Sequence, residues 1–374
     1  MKIAVFTDNF FPGWGGTECA VYNLCKGLIA LGHQILLFAP DYHIEQSFEE
    51  FEVVRLKSIR FEKNEMYTVL GRNYRMVFEK VEQFDPDIIY HCSAVSMATI
   101  AVKTAKKFKK PLVVTVHTKF KEAFYDGSHS KMITACMIRS FVSKLKESDK
   151  VVTVCDDMKR ELFAYGYKGD VTVIKNGIDH LEQVECAEEY AKTDDCFTFL
   201  FCGRLVKIKN IQFSIRSLGL LKREKGFDKF KFLLVGGGKY EKALRKLVKK
   251  ENLEENVSFW GYIADKKDLA KIYKQSDLFL FPSTFDNDSL VICEAAAQGT
   301  PTLTLKDCGS SERIRDNENG FLSDCNEHAF AERMVEIMTD GKLREHVCNN
   351  LNAPWGDTWL TVARQYEELF QSLL

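Results

Sequence analysis

The sequence lacks long apolar runs, a surplus of charge of one sign, and paired cysteines. No stretch approaches the roughly 18 to 20 consecutive apolar residues that a membrane-spanning helix needs. The 52 basic and 53 acidic residues give a formal net charge of −1. This balance argues against a dedicated nucleic-acid binder, because such proteins are basic. With 7 prolines and 22 glycines in 374 residues, the chain is neither collagen-like nor of low complexity.

The 12 cysteines form no Cys-x-x-Cys pair and no group with the spacing of a zinc site. Most of them lie in apolar runs, which predicts reduced, buried thiols rather than a disulfide framework. The apolar start at residues 2–6 lacks the features of a secretory signal. We therefore expect a cytoplasmic protein, with peripheral association at the inner face of a membrane as a further expectation.

Short apolar runs alternate with amphipathic stretches along most of the chain, which predicts parallel sheets covered on both faces. The predicted strands are 2–6, 34–38, 53–56, 87–90, 112–116, 151–154, 171–174, 198–201, 231–235, 257–259, 278–281 and 300–305. The predicted helices include 18–31, 211–224, 240–251, 267–275, 290–298, 327–339 and 359–374. The fold class is therefore α/β, with two doubly wound, Rossmann-like domains.

An acidic segment at 181–196 interrupts this alternation and has no apolar periodicity, so we interpret it as a linker. The first domain is predicted to span 1–180 and the second 197–355. A final amphipathic helix occupies 356–374. The length agrees with two domains of about 150 residues or more each.

Basic residues concentrate in 101–150, which holds 12 basic and 4 acidic side chains. Lysines cluster in 101–110, and apolar residues alternate with basic ones in 131–150. One interpretation is a set of solvated helix faces whose lysine stems lie on apolar surface. The other is a surface that meets anionic lipid headgroups. Both stay open at this point.

The first motif that points to chemistry is Gly13-Trp14-Gly15-Gly16-Thr17-Glu18, between the first predicted strand and helix. Adjacent glycines let the backbone approach a ligand, and the helix behind them offers free amide donors. The motif is neither the dinucleotide fingerprint nor a Walker loop. A tight strand-to-helix turn is the simpler explanation.

Two further loops follow strands of the second domain. Gly203-Arg204, with Lys209 five residues after the arginine, suits a diphosphate, because arginine grips two oxygens and lysine adds a point charge. A solvated basic loop is the alternative. Gly236-Gly237-Gly238 ends the next strand, where the backbone either turns flexibly or admits a ligand.

The fourth motif lies in residues 283–301, where Asp286 and Glu294 bracket seven residues. The predicted helix begins after Ser289, so the amides near Leu290 and Val291 are suited to a phosphate. Glu294 lies inside the helix, where its carboxylate suits two vicinal hydroxyls. Acid pairs at this spacing are common in proteins, and the pair alone carries little weight.

Taken in order, these motifs resemble the retaining GT-B glycosyltransferases that carry an acid–seven residues–acid signature, the group 1 or family 4 type. The resemblance extends over nearly the whole chain. It also includes His117 after an inner strand, and the segment with Tyr262 and Ile263. Asn176-Gly177-Ile178-Asp179 is similar to the motif that closes the first domain, and residues 309–322 are similar to the loop and turn near the carboxyl end. The resemblance implies that the two domains face a central cleft and that the final helix, 356–374, crosses back to the first domain.

The resemblance further implies transfer of a hexose from a nucleoside diphosphate sugar, with retention, to a hydroxyl of a glycan, a lipid or a metabolite. UDP-sugars such as UDP-glucose or UDP-GlcNAc are the donors expected first, and neither a metal nor a cofactor is required. The implied catalytic residues are Arg204, Lys209, His117, Asp286 and Glu294. The implied donor-binding residues are Gly15, Gly16, Gly203, Gly236, Gly237, Tyr262, Ile263, Ser289, Leu290, Val291 and Glu294. The implied acceptor-side residues are Thr17, Glu18 and Lys119.

One departure from the family pattern concerns the first acid of the signature. It is usually Glu and here is Asp286, which is one methylene shorter, and Asn287-Asp288-Ser289 follows where a glycine is common. Contacts to the donor sugar are therefore expected to differ. A sugar phosphorylase or nucleotide-sugar epimerase on the same fold, and a non-catalytic GT-B partner subunit, are the alternative functions.

Overall fold

The computed structural model describes residues 1–8, 10, 15–42, 50–62, 65–178, 196–351 and 355–374. The chain forms two compact units. Unit 1 comprises Met1–Gly177 and Asp357–Leu374, and unit 2 comprises Ile178–Gly356. Most of the predicted linker at 181–196 lies outside the described residues.

Unit 1 is built on a parallel sheet whose strands are nearly all apolar, as strands covered on both faces must be. Its strands in chain order are β1 Lys2–Phe6, β2 Gln34–Pro40, β3 Glu52–Leu56, β6 Ile88–His91, β7 Leu112–Val116, β8 Lys150–Thr153 and β9 Thr172–Val173, with β4 Ser58–Glu62 and β5 Glu65–Thr68 forming a separate antiparallel hairpin. The helices are α1 Gly16–Ala30, α2 Leu70–Phe84, α3 Ser96–Phe108, α4 Phe120–Ser128, α5 Lys131–Leu145 and α6 Asp156–Ala164. The spatial order of the sheet is β3-β2-β1-β6-β7-β8-β9.

Unit 2 repeats this architecture with a second parallel sheet. Its strands are β10 Phe197–Cys202, β11 Phe230–Val235, β12 Val257–Gly261, β13 Leu278–Phe281, β14 Thr302–Leu305 and β15 Phe321–Ser323. The helices are α7 Ile211–Lys225, α8 Glu241–Lys250, α9 Lys266–Gln275, α10 Leu290–Ala297, α11 Glu327–Thr339 and α12 Gly341–Asn350. Short 3₁₀ turns cover Lys207–Lys209 and Gly309–Ser311. The spatial order is β12-β11-β10-β13-β14-β15.

The strand order reverses at one place in each sheet, between β1 and β6 in unit 1 and between β10 and β13 in unit 2. Such switch points open a crevice at the carboxyl ends of the strands, where doubly wound proteins bind ligands. The two doubly wound units confirm the predicted fold class.

The last helix, α13 Trp359–Gln371, belongs to unit 1 and packs against α1. Small residues permit the close approach. A Cβ on Gly27 would lie 2.8 Å from the Cβ of Ala363. A Cβ on Gly177 would lie 2.6 Å from the Cα of Trp359. Tyr366 completes the contact through a 2.8 Å hydrogen bond between its hydroxyl and that of Thr115 at the sheet.

Candidate active site

Two glycine turns pack against each other beside the switch point of unit 2. Gly203, after β10, has a φ of +148°, and Gly236, after β11, has a φ of +125°. A Cβ on Gly236 would overlap the carbonyl oxygen of Gly203. The amide of Leu205 donates to the carbonyl of Gly237 at 2.9 Å, which ties the turns together. The second turn is therefore a close-packed support for the first, while Gly237 itself is exposed.

Lys209 and Asp286 meet, although 77 positions separate them in the chain. The Lys209 Nζ lies 2.5 Å from the Asp286 Oδ1, and both side chains are largely buried. The Nδ2 of Asn210 donates to the carbonyl of Pro282 at 3.1 Å, which fixes the two loops to each other. The predicted cation and the first predicted acid thus neutralise each other in this state.

Two polar atoms of the same loop stand out among the described residues. The Asp286 Oδ2 and the Ser289 Oγ are buried and have no hydrogen-bond partner within the described part of the chain. Ser289 precedes α10 without capping it through its side chain. Amides at such a helix start point outward with no intrahelical acceptor. The Asp286 Oδ2 is an acceptor, the Ser289 Oγ is a hydroxyl, and the first amides of α10 are donors. All of them lie at the carboxyl edge of the unit 2 sheet.

Arg204 differs from Lys209, because its side chain is exposed and has no ion-pair partner in the described ranges. It lies two residues after the end of β10 and so at the same edge of the sheet as Lys209 and Asp286. An arginine in this condition can take up a phosphate without first losing a carboxylate.

A buried tyrosine donates a hydrogen bond to the carboxylate of Glu294. The Tyr273 hydroxyl donates to the Glu294 Oε2 at 3.2 Å. Burial raises the pKa of Tyr273 well above its ordinary value, so this hydroxyl stays protonated and acts as a donor. Burial also raises the pKa of the neighbouring Cys202 thiol to about 12, which keeps that thiol neutral. The arrangement orients the carboxylate of Glu294 on α10.

Tyr262 and Ile263 follow β12 at the outer side of the same sheet. The ring of Tyr262 is 76% exposed, whereas Ile263 packs against the core. The exposed ring is suited to stack on a flat ligand.

In unit 1, Gly15 caps α1 and Gly16 begins it, and no heavy atom lies within 4 Å of a Cβ added to Gly16. A Cβ on Gly15 would meet the carboxylate of Glu18. Thr17 and Glu18 are half-buried in the first turn of the helix. Gly13 and Trp14 of the predicted loop lie outside the described residues, as does Asp179.

His117 follows β7 and is half-buried at the carboxyl edge of the unit 1 sheet. Lys119, two residues later, is bound by Asp157 at 2.6 Å, and both side chains are largely buried. Its ammonium is therefore neutralised by this unit's own carboxylate. Its predicted role on the acceptor side stays a prediction.

Two residues at this edge were not among the predicted site residues. Asp8 follows β1, and its carboxylate accepts hydrogen bonds from the amides of Ala94, Val95 and Met97 at 3.1 to 3.3 Å. His91 ends β6 and is fully buried, and burial lowers its pKa to about 3. The sequence contained a signal for Asp8, because an acid two residues after the first strand lies at the switch point.

Both halves of the chain match models of known protein families. A family model described as Glycosyltransferase Family 4 matches residues 14–181, and one described as Glycosyl transferases group 1 matches residues 185–352. The chain belongs to the GT-B glycosyltransferases of group 1. The resemblance inferred from the motifs is thereby confirmed.

Several relatives of this glycosyltransferase cover most of its length. It is 25% identical to the alpha-monoglucosyldiacylglycerol synthase of Streptococcus pneumoniae over 91% of this chain and 83% of that protein. It is 26% identical to a glycogen synthase of Mycobacterium tuberculosis over 82% of this chain and 78% of that protein. Among solved structures, HepE of Anabaena in complex with UDP and glucose covers all of both chains with a TM-score of 0.79 at 19% identity. That likeness concerns the fold.

Within the described residues, no helix is long and apolar enough to cross a membrane. In the same residues, no group of three or more His, Cys, Asp or Glu side chains has the geometry to hold a metal ion.

Proposed function

We propose that this glycosyltransferase transfers a hexose, glucose first, from a UDP-sugar to a lipid hydroxyl with retention of the anomeric configuration. The observation that carries the proposal is the meeting of charges at the switch point of unit 2. There the ends of β10 and β13 assemble Lys209 with Asp286, and place Arg204 and the start of α10 at the same edge.

The chemistry proposed for this edge is stabilisation of a departing diphosphate. As the bond between the sugar C1 and the β-phosphate oxygen breaks, negative charge grows on that phosphate. Arg204, Lys209 and the amides at the start of α10 balance this charge, as preorganised donors do in acyl and phosphoryl transfer. The acceptor oxygen bonds to C1 on the same face, and its proton passes to the departing phosphate oxygen.

We assign binding of the donor sugar to the two acids of the signature, Asp286 and Glu294. Glu294, oriented by Tyr273, accepts hydrogen bonds from vicinal hydroxyls, and the buried Oδ2 of Asp286 accepts another. We assign His117 to orienting the sugar rather than to proton transfer. Tyr262 is assigned to stacking on the base.

The choice of donor and acceptor draws on the relatives. HepE was solved with UDP-glucose as well as with UDP and glucose, which supports a UDP-glucose donor. The synthases of Streptococcus pneumoniae and Acholeplasma laidlawii are named for diacylglycerol, which supports a lipid acceptor. We extend both features to this chain as part of the proposal.

A lipid acceptor requires a surface that meets a membrane, and the basic segment 101–150 divides into two parts. The lysines of α3 are engaged by neighbours: the Lys107 Nζ lies 4.2 Å from the Phe78 ring centroid, and Lys106 pairs with Glu147 at 2.8 Å. By contrast, α5 contains no acidic residue, and its Met132 and Ile133 are 76% and 47% exposed. We assign contact with anionic lipid headgroups to α5.

The test of the proposed function is donor binding followed by transfer. Thermal shifts with UDP, GDP, ADP and their glucose conjugates should single out UDP and UDP-glucose. With the donor identified, Arg204→Ala should lower turnover at least about 100-fold without changing the melting temperature. Nuclear magnetic resonance of the product should show the α anomer from an α-linked donor.

The matched control is Arg216→Ala, which removes an exposed arginine of the same unit that pairs with Glu327 at 2.9 Å. It should leave turnover within about twofold of the wild type, because exposed ion pairs contribute little. Unchanged turnover in Arg204→Ala would contradict the mechanism, and a free-phosphate requirement would favour a phosphorylase.

A further inference from the structure

The acidic loop between β13 and α10 is clamped by the segment that follows β14. The Ser310 hydroxyl donates to the carbonyl of Asp286 at 3.0 Å. Gly309 lies against Asn287 so closely that a Cβ there would be 2.5 Å from the Asn287 carbonyl oxygen. The Cys308 thiol contacts the carbonyl of Ser283 at 3.7 Å. The loop therefore takes its shape from a segment more than 20 residues away in the chain.

The strongest contact of this clamp is a buried ion pair. The Arg313 Nε and Nη2 bind the two carboxylate oxygens of Asp288 at 2.5 and 2.7 Å. The two side chains are only 7% and 3% exposed. The two-point geometry fixes both the direction and the distance of the carboxylate. Burial of both charges is costly and adds little net stability, so the pair is better explained by the geometry it fixes.

The ion pair lies next to the residues that we assign to binding the donor. Asp288 lies two residues after Asp286 and one before Ser289. The Asp286 Oδ2 and the Ser289 Oγ are buried atoms that have no hydrogen-bond partner in the described ranges. A loop that holds such atoms away from partners needs an anchor that resists their rearrangement. Arg313 supplies this anchor, because it binds both carboxylate oxygens of Asp288.

The guanidinium also makes a third contact, with a residue outside the loop. The Arg313 Nη1 donates to the carbonyl of Trp355 at 3.1 Å. Gly356, the next residue, is the last of unit 2, and a Cβ there would overlap the Arg313 guanidinium. One side chain thus connects the acidic loop to the last residues of the unit.

We propose that Arg313 is a positioning residue that sets donor affinity by holding Asp288, and through it Asp286 and the start of α10. This inference rests on the proposed function, because it takes the acidic loop as the donor site. The arginine touches no reacting atom. Supporting residues of this kind hold functional groups to within about 0.5 Å of their working geometry.

The experiment measures dissociation constants for UDP-glucose and UDP by calorimetry, well below the melting temperature. Arg313→Met should raise the dissociation constant for UDP-glucose at least tenfold. Arg313→Lys, which keeps the charge but loses the two-point geometry, should raise it two- to fivefold. Asp288→Asn should match Arg313→Met, and the double variant should be no weaker than either, because both changes remove one contact.

The matched control is Arg333→Met, which removes another largely buried arginine of unit 2 that binds Asp316 at 2.7 Å. It should change the dissociation constant less than twofold. A lower melting temperature with wild-type affinity in Arg313→Met and Arg313→Lys would show a structural role only and overturn the inference. Wild-type protein that binds neither UDP nor UDP-glucose would overturn the proposed function, and this inference with it.

Discussion

The two units share one topology but treat the charges at their switch points differently. In unit 1, the carboxylate of Asp8 accepts hydrogen bonds from amides at the start of α3, and His91 is buried and neutral. In unit 2, Arg204 is exposed, and Lys209 is held by an Asp286 that keeps one buried oxygen without a partner among the described residues. Position at the carboxyl edge of a sheet is thus insufficient to indicate an anion site. Whether a charged residue at that edge can bind an anion depends on the partners that it already has.

The largest expected difference between the units concerns glycines. Gly236→Ala places a Cβ at a φ of +125° and against the Gly203 carbonyl, so it should lower the free energy of unfolding of unit 2 by about 2 kcal/mol. Gly16→Ala in unit 1 meets no atom within 4 Å and lies in a helix, so it should be neutral or slightly stabilising. Denaturant unfolding measures both.

Equal losses for the two glycine variants would contradict the role given to the packed turns. Gly237→Ala is the internal control, because it lies in the same turn with no atom within 4 Å of the added Cβ. It should resemble Gly16→Ala in stability.

The next difference is a pH dependence confined to unit 1. Burial, with a smaller contribution from Lys144, lowers the pKa of His91 from its ordinary 6.5 to about 3. Between these values the unfolded chain binds a proton that folded His91 does not. Stability should therefore fall as the pH falls below 6.5, by about 1.4 kcal/mol per pH unit.

Hydrogen exchange of the β6 and β10 amides between pH 7 and pH 5, corrected for intrinsic rates, separates the two units. Protection in β6 should fall with pH, and His91→Gln should remove most of that slope. The remainder is assigned to His33, whose pKa is also lowered by burial. The described histidines of unit 2, His328 and His346, are exposed, so β10 serves as the reference strand. A slope in β6 that is undiminished in His91→Gln would show that another group causes it.

The smallest expected difference is in binding to anionic vesicles, and it distinguishes two basic helices, α5 and α8. α5 combines basic residues with exposed Met132 and Ile133, whereas α8 has its apolar Leu244 and Val248 buried. Arg139→Gln in α5 should weaken binding to vesicles with anionic lipid about fivefold, since each basic residue near such a surface contributes about 1 kcal/mol. Lys250→Gln in α8 should change it less than twofold. Equal effects would remove the assignment of α5.

Periodicity predicted the elements that stand alone as apolar runs. The strands at Leu112–Val116 and Leu278–Phe281 and the helix at Glu327–Thr339 match the prediction residue for residue. The hairpin β4–β5 was missed, because charged residues break its alternation. The helix α12 was missed for a similar reason, since its only buried residue is Val347.

Motif spacing predicted which residues lie at the unit 2 switch point but not how they bond. Nothing in the sequence pairs Lys209 with Asp286, or Arg313 with Asp288, because both contacts depend on how distant loops meet. The same limit applies to Lys119, whose neutralisation by Asp157 comes from the packing of α6.

The most direct test of the proposed diphosphate site is a crystal structure of the protein soaked with UDP. We expect diphosphate oxygens about 3 Å from the guanidinium of Arg204 and the ammonium of Lys209, with the contact between Lys209 and Asp286 lengthened. A nucleotide bound elsewhere, or a Lys209 that still binds Asp286 alone, would contradict it.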